Sequence, residues 1–253
     1  MGSSKSRRLR NWLASVAVAA VTAGLIQMMT GAFTSIGSRL WALFTKQQPI
    51  QVAMASDFVS FHRDQKLSYV IPRSIDQIPP PPRYLKDPVE KFEQWAASLG
   101  AVEGPDTDVL VTVTGRSPAP VVLTNLRVTV VDRRPPLRGL HVRTPTAGPL
   151  NARYFNVNLD ASPPTLESID EFEDHPVKFP YRVSATEPEV FYISARTEKC
   201  DCTWIAELFW TAGDKKGSTI IKNNGKPFRT TSVENLPTYH FGEAGLSKFE
   251  QNQ

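Results

Sequence analysis

After Asp106 the chain is written almost entirely in short runs of β-branched and aromatic residues, and no stretch of ten residues with helical periodicity interrupts them. Nine such runs are readable. "DVLVTVTG" alternates apolar and polar residues strictly, and "PVVLTNLRVTVVD" is long and β-branched. "RGLHVRT", "RYFNVNLD", "YRVSA", "EVFYISART", "CTWIAELFWTA", "GSTIIKN" and "PFRTTS" follow. Pro, Gly and Asn punctuate them. "AGDKKG" and "NNGKP" separate the last three as turns, the second offering an Asn-Gly pair that accepts positive φ.

A segment that can make only strands buries its apolar faces by stacking sheets or by closing a barrel. The spacing predicts an all-β domain over residues 105–245: an immunoglobulin-like antiparallel β-sandwich, with a small β-barrel as the alternative. Within "CTWIAELFWTA", Trp204, Ala206, Leu208 and Trp210 share one face, and Thr203, Ile205, Glu207 and Phe209 share the other. The first set is expected in the core, where truncating either tryptophan would cost roughly 3 to 5 kcal/mol. Ile205 and Phe209 then meet a second layer or a helix; left open, they would form an interaction face. Residues 246–253 carry no pattern and read as a flexible C-terminal tail.

One helix precedes the strands. Asp87 can cap it and Pro88 suits its first position. Val89, Phe92, Trp95, Ala96 and Leu99 fall on one face and Gly100 ends it, which predicts a short amphipathic helix over 87–100. Upstream, Pro72, the run Pro79-Pro80-Pro81-Pro82 and Pro88 oppose both helix and ladder and favour polyproline II. Residues 39–86 are therefore expected as a membrane-proximal segment and Pro-rich tether, whose part from residue 72 to residue 87 would be either a spacer reaching up to about 50 Å or a strap along the domain.

From Asn11 to Ser38 there is no charged side chain. The core of that stretch, "WLASVAVAAVTAGLIQMMTGAF", is 22 residues long. As a helix it would span roughly 33 Å, against roughly 30 Å of bilayer hydrocarbon. Residues 11–38 are expected to be a signal-anchor helix in the lipid bilayer. A cleaved signal peptide is the competitor, although its apolar region normally runs about 7 to 15 residues. Lys5, Arg7, Arg8 and Arg10 precede the span without an acid, so residues 1–10 read as a cytoplasmic basic N-terminus and the C-terminal domain as extracytoplasmic.

This placement changes the meaning of the net charge of +4. Six of the 29 Lys and Arg lie before residue 47 with no acid among them, which leaves 23 bases against 25 acids beyond it. The outer domain is not basic, and no nucleic-acid partner is read from it.

Chemistry is sparser. His62, His141, His175 and His240 are scattered without ligand spacing, and neither HExxH nor GxSxG occurs. "GDKKGST" lacks the spacing of a phosphate loop. In "LESIDEFEDH", Glu167, Asp170, Glu171, Glu173 and Asp174 are weak metal candidates, calcium being the cation that such oxygens suit; a wet acidic turn is the plainer reading. Arg127, Arg133, Arg134, Arg138 and Arg143 would make a basic patch if they met in space. No cofactor site is read.

The only two cysteines, Cys200 and Cys202, stand in "KCDC". Two thiols are half the ligands of a four-coordinate zinc. A disulfide would close a three-residue loop worth roughly 1.6 kcal/mol by chain entropy. In an extended strand the two Cβ atoms stand roughly 7 Å apart, so bridging needs a tight bend. Because the pair lies between two strand runs, the expectation is a strained disulfide at a hairpin tip, favoured outside the cytoplasm.

Two functional classes follow. One is a single-pass membrane-anchored extracytoplasmic β-sandwich acting as a non-enzymatic binding or envelope accessory module. Its partner would be a protein or an envelope polymer, met at Ile205 and Phe209. The other is an extracytoplasmic enzyme or redox protein using Cys200 and Cys202 or the acidic 167–174 cluster.

Overall fold

A computed structural model of the chain describes residues 48–54, 67–82, 88–144, 153–169, 178–242 and 245–249. The basic N-terminus 1–10 and the candidate span 11–38 lie outside them. Among the described residues no helix is long and apolar enough to cross a membrane.

All nine runs marked in the sequence are strands, and they belong to two sheets in a sandwich-like arrangement. In the first sheet the order is β1 (Ile50–Met54), β4 (Asp106–Gly115), β10 (Glu189–Arg196), β7 (Arg153–Asn158) and β8 (Thr165–Ile169). Alternation in β4 turns Val109, Val111 and Val113 inward, where they join Phe191, Ile193 and Ala195 of β10 and Phe155 and Val157 of β7 in one apolar cluster.

The second sheet runs β15 (Gly245–Lys248), β14 (Thr238–Gly242), β6 (Leu140–Arg143), β2 (Ser68–Ile71), β3 (Val102–Glu103), β13 (Phe228–Thr231), β11 (Asp201–Ala212), β5 (Val121–Arg134) and β9 (Tyr181–Val183). A tenth strand, β12 (Lys215–Ile221), pairs with the C-terminal half of β11. β11 organises this sheet, with β5 along one edge and β13 and then β12 along the other. Trp204, Ala206, Leu208 and Trp210 are all buried, as their shared face predicts, and Trp204 stacks on Phe228 with ring centroids 4.5 Å apart. The turns also follow the sequence. Ala212 faces Lys215 across Gly213 at φ 60°, and Asn224 and Gly225 take φ 48° and 81° between the bridged Asn223 and Lys226.

The amphipathic helix α1 (Pro88–Ser98) ends where Gly100 takes φ 75°. The N–H of Gly100 donates to Ala97 O at 3.0 Å and that of Ala101 to Ala96 O at 3.1 Å, the paired bonds of a Schellman stop. Phe92 and Leu99 close a second, smaller core with Leu67, Ile71, Leu140, Val142 and Phe241, and Phe92 stacks on Phe241 at 4.5 Å.

Three expectations need correction. The sandwich is not purely antiparallel: β10 runs parallel to β7, β14 to β6 and β13 to β3. Parallel neighbours need a crossover, and here the intervening chain visits other strands first; between β7 and β10 it passes through β8 and then β9 of the opposite sheet. Within 39–86, residues 39–47, 55–66 and 83–86 lie outside the described residues, and the others do not form a spacer ahead of the domain. β1 and β2 lie upstream of the Pro run and are already strands of the two sheets, so the run connects two elements of one folded unit that begins at Pro49. Residues 246–249 are not a flexible tail, because Gly245–Lys248 is β15, paired with β14, and the Phe249 N–H donates to Thr238 O at 2.8 Å; residues 250–253 lie outside the described residues. These short strands lack strong alternation and are ordered by the partner they pair with.

Candidate functional site

The chain leaves β10 in the first sheet and enters β11 in the second, and "KCDC" occupies that passage. Cys200 and Cys202 form a disulfide with Cα atoms 5.4 Å apart. The hairpin-tip expectation is corrected, because β10 and β11 never pair with each other. Both cysteines are buried in the apolar cluster between the sheets, so neither sulfur is presented to solvent.

Asp160, just beyond β7, holds the bend that permits the bridge. Its carboxylate accepts the Thr197 hydroxyl at 2.6 Å, the Glu198 N–H at 2.9 Å and the Lys199 N–H at 3.3 Å. The Thr197 oxygen in turn accepts the Cys200 N–H at 3.1 Å. Amide groups that a bend leaves without strand partners are thus collected by one side chain. Arg133 Nη1 reaches to 3.6 Å from Cys200 Sγ and donates through Nη2 to Ala161 O at 3.3 Å. Asp201, the residue between the cysteines, is buried and receives Arg229 Nε at 2.8 Å and Nη2 at 2.6 Å. These hydrogen bonds raise the Arg229 guanidinium above its ordinary range.

Beside this passage, on the outward face of the first sheet, lies a concavity of about 470 Å³. Asp106 of β4, Ser194 and Arg196 of β10, Asn156 and Asn158 of β7 and Glu167 of β8 line it. Strand register sets the pattern. Ser194, Asn156 and Glu167 are cross-strand neighbours in one row, and Arg196, Asn158 and Thr165 in the next. Arg196 bridges Asp106 and Glu198 at 3.3 Å each, and the Asn158 Oδ1 accepts the Asp160 N–H at 2.9 Å. Further along the same face, Tyr154 and Tyr192 are register partners with ring centroids 4.8 Å apart. Burial and the nearby Asp108 carboxylate raise the Tyr192 hydroxyl, so it stays protonated.

The outward face of the second sheet is different in kind. Ile205 and Phe209 are half-buried on β11, opposite the tryptophan stripe, and the Arg127 guanidinium lies 4.5 Å over the Phe209 ring. Ile220 of β12 is 53% exposed on the same face and stands opposite Glu207, which accepts the Ser218 hydroxyl at 2.6 Å. Helix α1 packs on the β2, β6 and β14 region instead of here.

Buried polar groups tie neighbouring strands of the second sheet together. Ser68 donates its hydroxyl to Gly104 O and lies 2.8 Å from His141 Nε2, while His141 Nδ1 is 3.2 Å from Thr238 Oγ1. These contacts link β2, β6 and β14, three strands of the second sheet. Burial raises the Glu103 carboxyl to about 7; Thr107 opposes this by hydrogen bonding, and Asp108 and Glu93 reinforce it.

Of the acidic metal candidates, Glu167 is exposed on β8 at the concavity, whereas Asp170, Glu171, Glu173 and Asp174 lie outside the described residues. Among the described residues no three of His, Cys, Asp and Glu are placed to hold a metal ion. The arginines do not gather into one patch. Arg127 of β5 lies over Phe209, and Arg143 of β6 over Phe249, with four strands between β5 and β6. Compared with family models, curated proteins and solved structures, the chain matches none.

Sequence reasoning singled out Glu167 but passed over Asn156, Ser194, Arg196 and Asp106. A signal for one of them was present: Asn is disfavoured in strands, yet "YFNVN" places two on one face.

Proposed function

We propose that this chain is a single-pass membrane-anchored extracytoplasmic protein, immunoglobulin-like in kind, that acts as a non-enzymatic binding or envelope accessory module. The observation that carries the reading is the open face of β11 and β12. Ile205, Phe209 and Ile220 stay accessible there although an amphipathic helix is at hand and packs elsewhere. Arg127 borders this apolar band, and alternation along β12 turns Lys216 to the same side. The complementary partner is a protein that offers an apolar contact with an acidic rim.

Two features support the compartment. The Cys200–Cys202 disulfide is of a kind maintained in oxidising surroundings. The uncharged stretch 11–38 follows four basic residues, the charge order of an anchor with its N-terminus inside.

The test is a photo-crosslinking residue at Phe209 in native membranes, with one at the exposed Gln51, on β1 of the other sheet, as the control. A discrete protein adduct at 209 that Ile220→Arg removes is the expected result, and identical labelling at both positions would defeat the reading. A reporter fused after Gln253 that is active only outside the cytoplasm should be active.

A further inference from the structure

We propose that the concavity on the outward face of the first sheet is a binding site for a neutral polyhydroxylated ligand, the ring hydroxyls of a glycan. It lies on the opposite sheet from the Ile205 and Phe209 face and does not depend on that face being a protein contact.

The lining chemistry narrows the ligand class. Four carboxylates, those of Asp106, Asp160, Glu167 and Glu198, surround a single guanidinium, that of Arg196, which disfavours an anion. No three of the described metal-ligating side chains converge there, which disfavours a bound cation. Most of these charges are also engaged within the protein. Arg196 is shared by Asp106 and Glu198, and Asp160 holds Thr197 and two amides of the sheet passage. The row that remains for a ligand is Ser194, Asn156 and Glu167, which combines an alcohol, a planar amide and a carboxylate. The alcohol and the amide both accept and donate, and the carboxylate accepts, as hydroxyl-rich ligands require.

Size and shape agree. A volume of about 470 Å³ is that of a small-molecule site, and strands about 4.8 Å apart make a three-strand row about 10 Å long, enough for two sugar rings. The Tyr154 and Tyr192 rings continue the face beside the row and offer an apolar platform to the C–H face of a pyranose.

Asn156 is the residue hardest to explain without a ligand. Asn158 is accounted for by its hydrogen bond from Asp160. Asn156 is exposed in a strand paired on both sides, where Thr or Val would fit the ladder better. A locally unfavourable residue at such a place is the mark of a functional position.

Full-length protein in nanodiscs, prepared without glycoside detergents, is titrated by calorimetry with cellotetraose, xylotetraose, mannotetraose and the N-acetylglucosamine tetramer. Liposomes bearing a hexosyl lipid form a parallel co-sedimentation arm that separates a membrane glycolipid from a soluble polymer as the source. Binding in either arm is expected. It should weaken about tenfold in Asn156→Thr, the effect of one lost hydrogen bond, while that variant melts no lower than the wild type. Glu167→Gln should weaken binding in the same arm, and Phe209→Ala should leave it unchanged. The proposal is overturned if neither arm shows binding, or if Asn156→Thr binds as the wild type does. It is overturned equally if polylysine, titrated alongside, is the only ligand that binds and about 0.5 M NaCl abolishes that binding, which would identify a plain acidic surface.

Discussion

The indole Nε1 of Trp204 donates to the Thr230 hydroxyl at 2.9 Å, deep in the sandwich. Thr230 passes its own proton to Thr107 Oγ1 at 2.7 Å, so a bond from β11 to β13 continues into β4 of the other sheet. Thr230→Val preserves the shape and removes the acceptor, leaving a buried indole N–H unsatisfied. It should destabilise by about 2 kcal/mol, read as a lower urea midpoint with an unchanged slope. An unshifted midpoint would show that the interior satisfies this donor by another route.

Arg229 grips the buried Asp201 carboxylate with two nitrogens, and Asp201 is only 3% exposed. Arg229→Ala strands a buried charge and should cost about 3 kcal/mol. Arg229→Lys should recover only part of this, because an ammonium cannot make two parallel bonds. Adding Asp201→Asn to Arg229→Ala should be less harmful than the sum of the two single changes, and strict additivity in that cycle would refute the coupling.

Stability should fall as pH rises across the Glu103 titration. The carboxyl is raised by burial from 4.5 to about 7, so between those values the folded chain holds a proton that the unfolded chain has released. The contribution is complete below about pH 4.5 and is lost as pH passes about 7. Its size is on the order of 2 kcal/mol once residual solvent contact is allowed for. Glu103→Gln should flatten this slope in denaturation curves taken from pH 4 to pH 8, and a slope unchanged by the substitution would place its origin elsewhere.

Replacing Cys200 and Cys202 by serine removes a loop of three residues, worth roughly 1.6 kcal/mol by chain entropy. The loss should exceed this modestly, since both serine hydroxyls would replace sulfur in an apolar cluster. In the wild type, reductant followed by maleimide should label the pair only under conditions that open the fold, because neither sulfur reaches solvent. Rapid labelling of native protein would reclassify the bridge as labile.

What was legible depended on how local its cause is. The tryptophan stripe of β11, the strict alternation of β4, the α1 stop at Gly100 and the Asn224-Gly225 turn each follow from residues within one element. β1, β2, β3, β8, β14 and β15 did not stand out, because short strands of mixed composition acquire their conformation from neighbours. The face carrying Ile205 and Phe209 could be drawn from period two, but not what would cover it.

The sequence by itself therefore determined nine of the strands and which side of the longest ones is apolar, since side-chain alternation is a property of a single strand. Tertiary structure alone decided the pairing. It made β10 a parallel neighbour of β7, drew β1 and β2 into the sheets and turned "KCDC" from a hairpin tip into a passage between layers. It also set Asn156, Glu167 and Ser194 in one row. The reason is physical: pairing and register follow from which apolar faces can be buried against each other, and that is a property of the whole assembled core.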